Sequence, residues 1–141
     1  MKRKFLLLPL ILLSCSLPVE TSFQIETSFQ TPGDVCVWVH DNIRYKPDET
    51  DYWQSPEETF TLRTGECGDF ALLMIKLCKE KLDLECSLVY AYKQLPDKIS
   101  FHALVLYDTF YDPTAGTSDD LHGYSVAYVQ SYSDLWFYGY L

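Results

Sequence analysis

Three observations predict an α+β fold, with helices first and an antiparallel sheet after them. The segment 67–81 is apolar nearly all round a helical wheel (Phe70, Ala71, Leu72, Leu73, Met74, Ile75), which marks a central, buried helix. From Leu84 onward the chain breaks into short segments rich in β-branched and aromatic residues, separated by turn-formers. The chain has 141 residues, 48% of them hydrophobic and 16% aromatic, enough for one real core and unlike a disordered or repeat protein.

The elements follow in order. Thr31-Pro32 opens a helix, with Thr as the N-cap and Pro in the first helical position. Val35, Trp38, Val39 and Ile43 fall on one face, and Tyr45-Lys46-Pro47 ends it. Residues 48–61 read as a loop punctuated by Pro56. The second helix starts at Cys67 and runs to about Lys81, its last turn carrying Lys79, Glu80 and Lys81. Strands are expected over 84–92, 99–106, 110–113 and 124–130. The aromatic tail, 135–140, is expected to pack back on the sheet.

The N-terminus reads as a leader. Lys2-Arg3-Lys4 forms a positive region, and 5–13 is an apolar run well short of the about 20 residues that span a bilayer. Leu12-Leu13-Ser14-Cys15 resembles the bacterial lipoprotein signal, which implies a signal peptide over 1–14 and lipidation of Cys15. The expectation is export to the cell envelope, periplasm-facing or on the outer membrane, with attachment through lipid on Cys15. Residues 16–30 repeat Glu-Thr-Ser-Phe-Gln once and read as a polar spacer, leaving 31–141 as the domain. The formal charge is −9, or −12 once the three basic residues of the leader are gone. A nucleic-acid partner would want a basic face, so that class is excluded.

The chemistry centres on Gly65-Glu66-Cys67-Gly68-Asp69-Phe70, which opens the central helix. A helix N-terminus favours a thiolate. Downstream lie His102 on a strand and Asp112 before Pro113. A nucleophilic thiol needs an imidazole to move the proton and a carboxylate to fix the imidazole tautomer. Cys67, His102 and Asp112 are therefore the candidate catalytic residues. Asp69 reads as a first-turn helix carboxylate, and His40 and His122 as surface residues. Cys36, Cys78 and Cys86 are either buried free thiols or partly bridged, since export permits disulfides. No CxxC pair occurs and the three histidines are scattered, so no metal site is assigned.

Alternation along strands gives the triad a geometric condition. His102 and Asp112 share a sheet face only if the loop between their strands has an odd number of residues. A three-residue loop, 107–109, pairs Leu106 with Phe110 and sets Asp112 diagonal to His102, about 7–8 Å away between Cβ atoms. Asp108 is a poor substitute, roughly 20 Å along the strand from His102.

Three stretches together resemble the transglutaminase-like superfamily, a papain-type cysteine fold. Trp38-Val39-His40-Asp41-Asn42-Ile43-Arg44-Tyr45 looks like its leading helix. Asp51-Tyr52-Trp53-Gln54-Ser55-Pro56-Glu57-Glu58, with Gly65 to Ala71 around the cysteine, is similar to bacterial transglutaminase-like cysteine proteinases. His102-Ala103-Leu104-Val105 and Tyr111-Asp112-Pro113-Thr114 look like its His and Asp strands. The resemblance implies a Cys67-His102-Asp112 site acting through a thioester on peptide or glutamine amide bonds. Hydrolysis and transfer to an amine both stay open, with peptidase activity favoured. It also implies an oxyanion role for Trp53 or Gln54, for which aromatic packing of the Trp53 loop over the helix is the plainer reading. No organic cofactor is implied. Some relatives bind calcium near the cysteine, where an acidic residue follows it; Gly68 stands there in this chain, and no calcium is assigned. The alternative to an enzyme is a surface lipoprotein using the same fold to bind a peptide or wall fragment without turnover.

Overall fold

The structure is a computed structural model that describes residues 23–141, so the leader and Cys15 lie outside the described residues. Four helices and seven strands make up the described chain. The helices are α1 (Pro32–Asn42), α2 (Pro56–Leu62), α3 (Cys67–Leu82) and α4 (Tyr132–Phe137). Strands β1 (Arg44–Tyr45) and β2 (Thr64–Gly65) form a small parallel pair. The main sheet holds β3 (Ser87–Gln94), β4 (Ile99–Leu106), β5 (Phe110–Asp112), β6 (Thr117–Ser118) and β7 (Ser125–Gln130). It is antiparallel, with strand order β6-β5-β4-β3-β7. The α+β architecture expected from the sequence is the one found.

The helix caps are local and legible. Thr31 Oγ1 accepts from the Asp34 amide at 3.2 Å, and Asp34 returns a bond to the Thr31 amide at 2.8 Å. Helix α3 supplies the centre of the core: Phe70, Leu72, Leu73, Met74, Ile75 and Leu77 are each at most 1% exposed. Burying each such side chain is worth about 1.5–3 kcal/mol, so a Leu73→Ala change would cost several kcal/mol. The helix ends where Asp83 takes a left-handed conformation and the Leu84 amide bonds back to the Cys78 carbonyl at 3.2 Å. That closing turn uses up residues expected in the strand, so β3 starts at Ser87.

Helix α2 was expected to be loop. Its signal is present in the sequence as Ser55-Pro56-Glu57-Glu58. Ser55 Oγ accepts from the Glu58 amide, Glu58 accepts from the Ser55 amide, and Pro56 occupies the first turn. The spacer reading also needs correction. Phe23 and Phe29 are buried at 5% and 7% exposure, Phe23 against Phe60 and Phe29 against Trp38. Lys81 Nζ donates to the Phe23 carbonyl. The folded domain therefore reaches back to Phe23, because the two phenylalanines of the repeated motif find apolar partners that a free spacer would lack.

The tail meets its expectation in part. Leu135 is fully buried, yet Trp136, Phe137 and Tyr138 face solvent, since a single short helix can turn only one side inward. Among the described residues no helix is long and apolar enough to cross a membrane.

Candidate active site

Cys67 is the first residue of α3 and is half-buried. The chain before it is fixed by Asp69, which is 2% exposed. Asp69 Oδ2 accepts from the Glu66 amide and Oδ1 from the Gln54 amide, each at 2.8 Å. One carboxylate thus ties the Trp53-Gln54 loop to the start of the cysteine helix. Burial raises the Asp69 pKa, against the two amides that lower it. The glycines allow this close approach. A Cβ on Gly65 would lie 2.7 Å from Asp69 Cβ, and one on Gly68 would lie 2.9 Å from the Trp53 ring.

Trp53 therefore lies directly on the helix backbone one residue past Cys67. Its ring also stacks on Tyr90 at 5.8 Å and meets Tyr140 at 6.2 Å. These three rings, with Asp51 and Tyr52, line an open recess of about 370 Å³ beside the helix start. The packing expected of Trp53 is observed. Gln54 sits next to it, with Oε1 accepting from Thr59 Oγ1 at 3.2 Å.

Strands β4 and β5 carry the other two residues. The observed register pairs Leu106 with Phe110 and Val105 with Tyr111, the three-residue connection that alternation required. His102 and Asp112 accordingly share a face, and His102 Nε2 lies 2.8 Å from Asp112 Oδ2. Asp112 Oδ1 accepts from the amides of Thr114 and Ala115 at 3.0 and 3.2 Å. Asp112 is 3% exposed. Burial is the largest single influence and raises its pKa, but the hydrogen bond and charge of His102, with the Ala115 and Thr114 amides, together outweigh it and leave it lowered. For His102, burial favours the neutral ring. Asp112 and the Cys67 side chain act against burial and raise its pKa to about 10. With Nε2 committed to Asp112, the second ring nitrogen of His102 is the one available for proton transfer.

A third histidine belongs here. His122, expected on the surface, is half-buried with Nε2 3.6 Å from Asp112 Oδ2. Nothing in local sequence periodicity could reveal this, because a loop and not a strand brings it in. His40 stays exposed on α1, its Nδ1 3.0 Å from the Thr114 carbonyl oxygen. Among the described residues, Cys36, Cys78 and Cys86 are also free thiols. Burial pushes the Cys36 thiol up to about 12. Cys78 is pushed up by its bond to the Cys86 thiol and by burial. Cys67 is thus the partly accessible thiol among the described residues.

A family model described as the transglutaminase-like superfamily matches residues 20–138, and the chain belongs to that superfamily. Among solved structures, a candidate cysteine protease from Cytophaga hutchinsonii is 25% identical with a TM-score of 0.58, over 73% of this chain and 37% of that one. Legionella pneumophila LapG, in EGTA-treated and calcium-bound forms, is 18% identical with a TM-score of 0.57 over 70% of this chain. The aligned part is 60% and 62% of those two LapG chains, so the chain spans less than two thirds of these relatives. No curated protein matches the chain.

The acidic residues near Cys67 are committed to protein donors. Both Asp69 oxygens are taken by backbone amides, and both Asp48 oxygens by Thr50. Among the described residues no three acidic, histidine or cysteine side chains converge as a ligand set.

Proposed function

We propose that this member of the transglutaminase-like superfamily is an exported cysteine peptidase or amidase, with Cys67 as nucleophile, His102 as proton carrier and Asp112 as the group that orients His102. The observation that carries this reading is the 2.8 Å His102–Asp112 contact, in a histidine whose pKa Cys67 also raises. The Cys67 thiolate attacks the carbonyl carbon of an amide, forming a C–S bond and an oxyanion. The Cys67 backbone N–H, at the N-terminus of α3, donates to that oxyanion, with Trp53 or Gln54 as the second donor. The imidazolium of His102 gives its proton to the leaving nitrogen as the C–N bond breaks, leaving a thioester and a neutral imidazole. Water then attacks the thioester, His102 takes its proton, and the acid and the thiolate are released.

The substrate class is a peptide or protein, and the recess beside Trp53 offers aromatic surface for one of its side chains. An amine in place of water would give transamidation by the same steps. Residues 1–14 serve as a signal peptide, and Cys15 carries the lipid that holds the domain at the cell envelope. No organic cofactor enters the scheme, since the thiol performs the chemistry.

The test is the rate of iodoacetamide labelling of Cys67 against pH, in the full chain held in detergent micelles. Cys36, Cys78 and Cys86 serve as internal controls by mass spectrometry. The expected result is labelling well below about pH 8, slowed about tenfold or more by His102→Ala. Slow labelling with ordinary thiol pH dependence, indifferent to His102→Ala, would end the catalytic reading and leave a peptide-binding module.

A further inference from the structure

We infer that His122 is a positioning residue of this site, sharing the Asp112 carboxylate with His102 and acting on catalysis through its charge. The inference rests on the reading of Cys67, His102 and Asp112 given above.

Both ring nitrogens of His122 are engaged, so the ring is held rather than free. Nδ1 lies 3.1 Å from Asp120 Oδ2. Nε2 lies 3.0 Å from Thr117 Oγ1 and 3.6 Å from Asp112 Oδ2. The backbone is held as well. His122 has φ 50, in the left-handed region that residues with a Cβ seldom adopt, and Gly123 follows at φ 76. The His122 amide donates to Asp120 Oδ1 at 2.7 Å, and its carbonyl accepts from Lys93 Nζ at 3.2 Å. A loop bound at this many points delivers one imidazole to the same carboxylate oxygen, Asp112 Oδ2, that His102 already uses. A merely exposed histidine would need none of these contacts.

The chemistry follows from where the protons sit. In neutral His122, the Nε2 lone pair accepts from the Thr117 hydroxyl, while Nδ1–H lies beside the Asp120 carboxylate. Asp112 Oδ2 then receives a proton only from His102. In protonated His122, Nε2–H points at Thr117 Oγ1 and Asp112 Oδ2, so a second cation draws on the same carboxylate and repels the His102 imidazolium. The other charged or titratable groups on this side are Asp120 beside the ring, Lys93 of β3 at the His122 carbonyl, His102 of β4 on the shared carboxylate, and Tyr124, which packs on His102 and under Lys93. Cys36 and His40 come from α1, touching the carbonyls of Thr117 and Thr114. In acid, protonation of His122 loosens the hold of Asp112 on His102 and weakens the ion pair that keeps Cys67 reactive.

Coupling between two sites is reciprocal, so it can be read from either histidine. The chain has three histidines, which makes NMR titration of each imidazole assignable. In the full chain in detergent micelles, His102→Gln should raise the pH midpoint of His122 by about one unit, a tenfold gain in proton affinity. In the same preparation, His122→Gln should shift the acid limb of Cys67 labelling to lower pH, by about threefold or more in rate near its midpoint, and change the rate at about pH 8 by less than about twofold. Asp120→Asn, which removes the carboxylate beside His122 Nδ1, should shift that limb in the same direction by a smaller amount. An His122 midpoint that stays put in His102→Gln overturns the inference. So does a labelling rate that falls by one factor at every pH in both loop variants. If the His122 midpoint moves while Cys67 labelling ignores His102→Ala, the shared carboxylate stands and the catalytic reading falls.

Discussion

Asp69 and Asp112 are both buried carboxylates, 2% and 3% exposed, and each accepts two backbone amides. Their acidities nevertheless move in opposite directions. Asp69 has no cation beside it, so burial dominates and its pKa rises, with Glu66 and Asp48 adding to the effect. Asp112 has His102 against Oδ2, and that partner, added to its amide bonds, tips the balance against burial. Amide hydrogen bonds can satisfy a buried carboxylate, but a neighbouring cation decides how readily it stays charged. The two residues thus divide the work. Asp69 holds the Trp53 loop to the cysteine helix, and Asp112 sets the charge of the histidine.

The sharpest way to break this comparison is to make the same change at both sites. Asp112→Asn removes the countercharge of His102 and should lower the rate of Cys67 chemistry near neutral pH by about a hundredfold or more. Asp69→Asn should change that rate far less, because no reacting group touches Asp69. Equal losses in the two variants would show that geometry alone, not charge, separates them.

The pH dependence of stability should separate them next. His102 has a folded pKa raised from 6.5 to about 10, so the folded state binds its proton more tightly than the unfolded chain does. The stability this contributes is complete below about pH 6.5 and lost as pH rises through about 10. Asp112 has a lowered pKa, so its contribution is present above the ordinary carboxylate range and lost as pH falls below it. Asp69 has the opposite sign, since its raised pKa makes protonation favour the folded state. Urea denaturation across pH should show the alkaline decline in the native chain and a flattened profile in Asp112→Asn. An unchanged alkaline decline in that variant would mean that His102 owes its proton to other groups.

The smallest of these effects is the direct cost of the Asp69 knot. An amide in place of the carboxylate leaves one of the Gln54 and Glu66 N–H groups without its acceptor. Asp69→Asn should therefore cost about 1–3 kcal/mol in chemical denaturation. A loss below that range would mean that the Trp53 packing on Gly68 holds the loop by itself.

Much of the fold was legible because its causes are local. Thr31-Pro32 and the apolar run after Cys67 act within a turn or two, and β4 begins and ends where its alternation says. The sequence set the condition, an odd loop between β4 and β5, and the observed pairing of Leu106 with Phe110 meets it, giving His102 and Asp112 a shared face. Helix α2 was equally local, written in Ser55 and Glu58, but Pro56 was read as a loop marker instead of a first-turn residue. Phe23 and Phe29 were a different kind of miss. Short polar repeats carry no periodicity, and only the presence of Phe60 and Trp38 across the fold gives the two phenylalanines somewhere to go.

The sequence by itself determined the order of helices and strands and the cysteine at a helix start, and it set the strand parity that histidine and aspartate would need to share a face. Each of these depends on residues close together in the chain, where sterics and hydrogen bonding leave few choices. Only the tertiary structure tied Asp69 to the Trp53-Gln54 loop, through the Gln54 amide. It alone brought His122 to Asp112, from a loop held by Asp120, Thr117 and Lys93. Charge at a buried group depends on everything packed around it, and those neighbours come from parts of the chain that no local pattern connects.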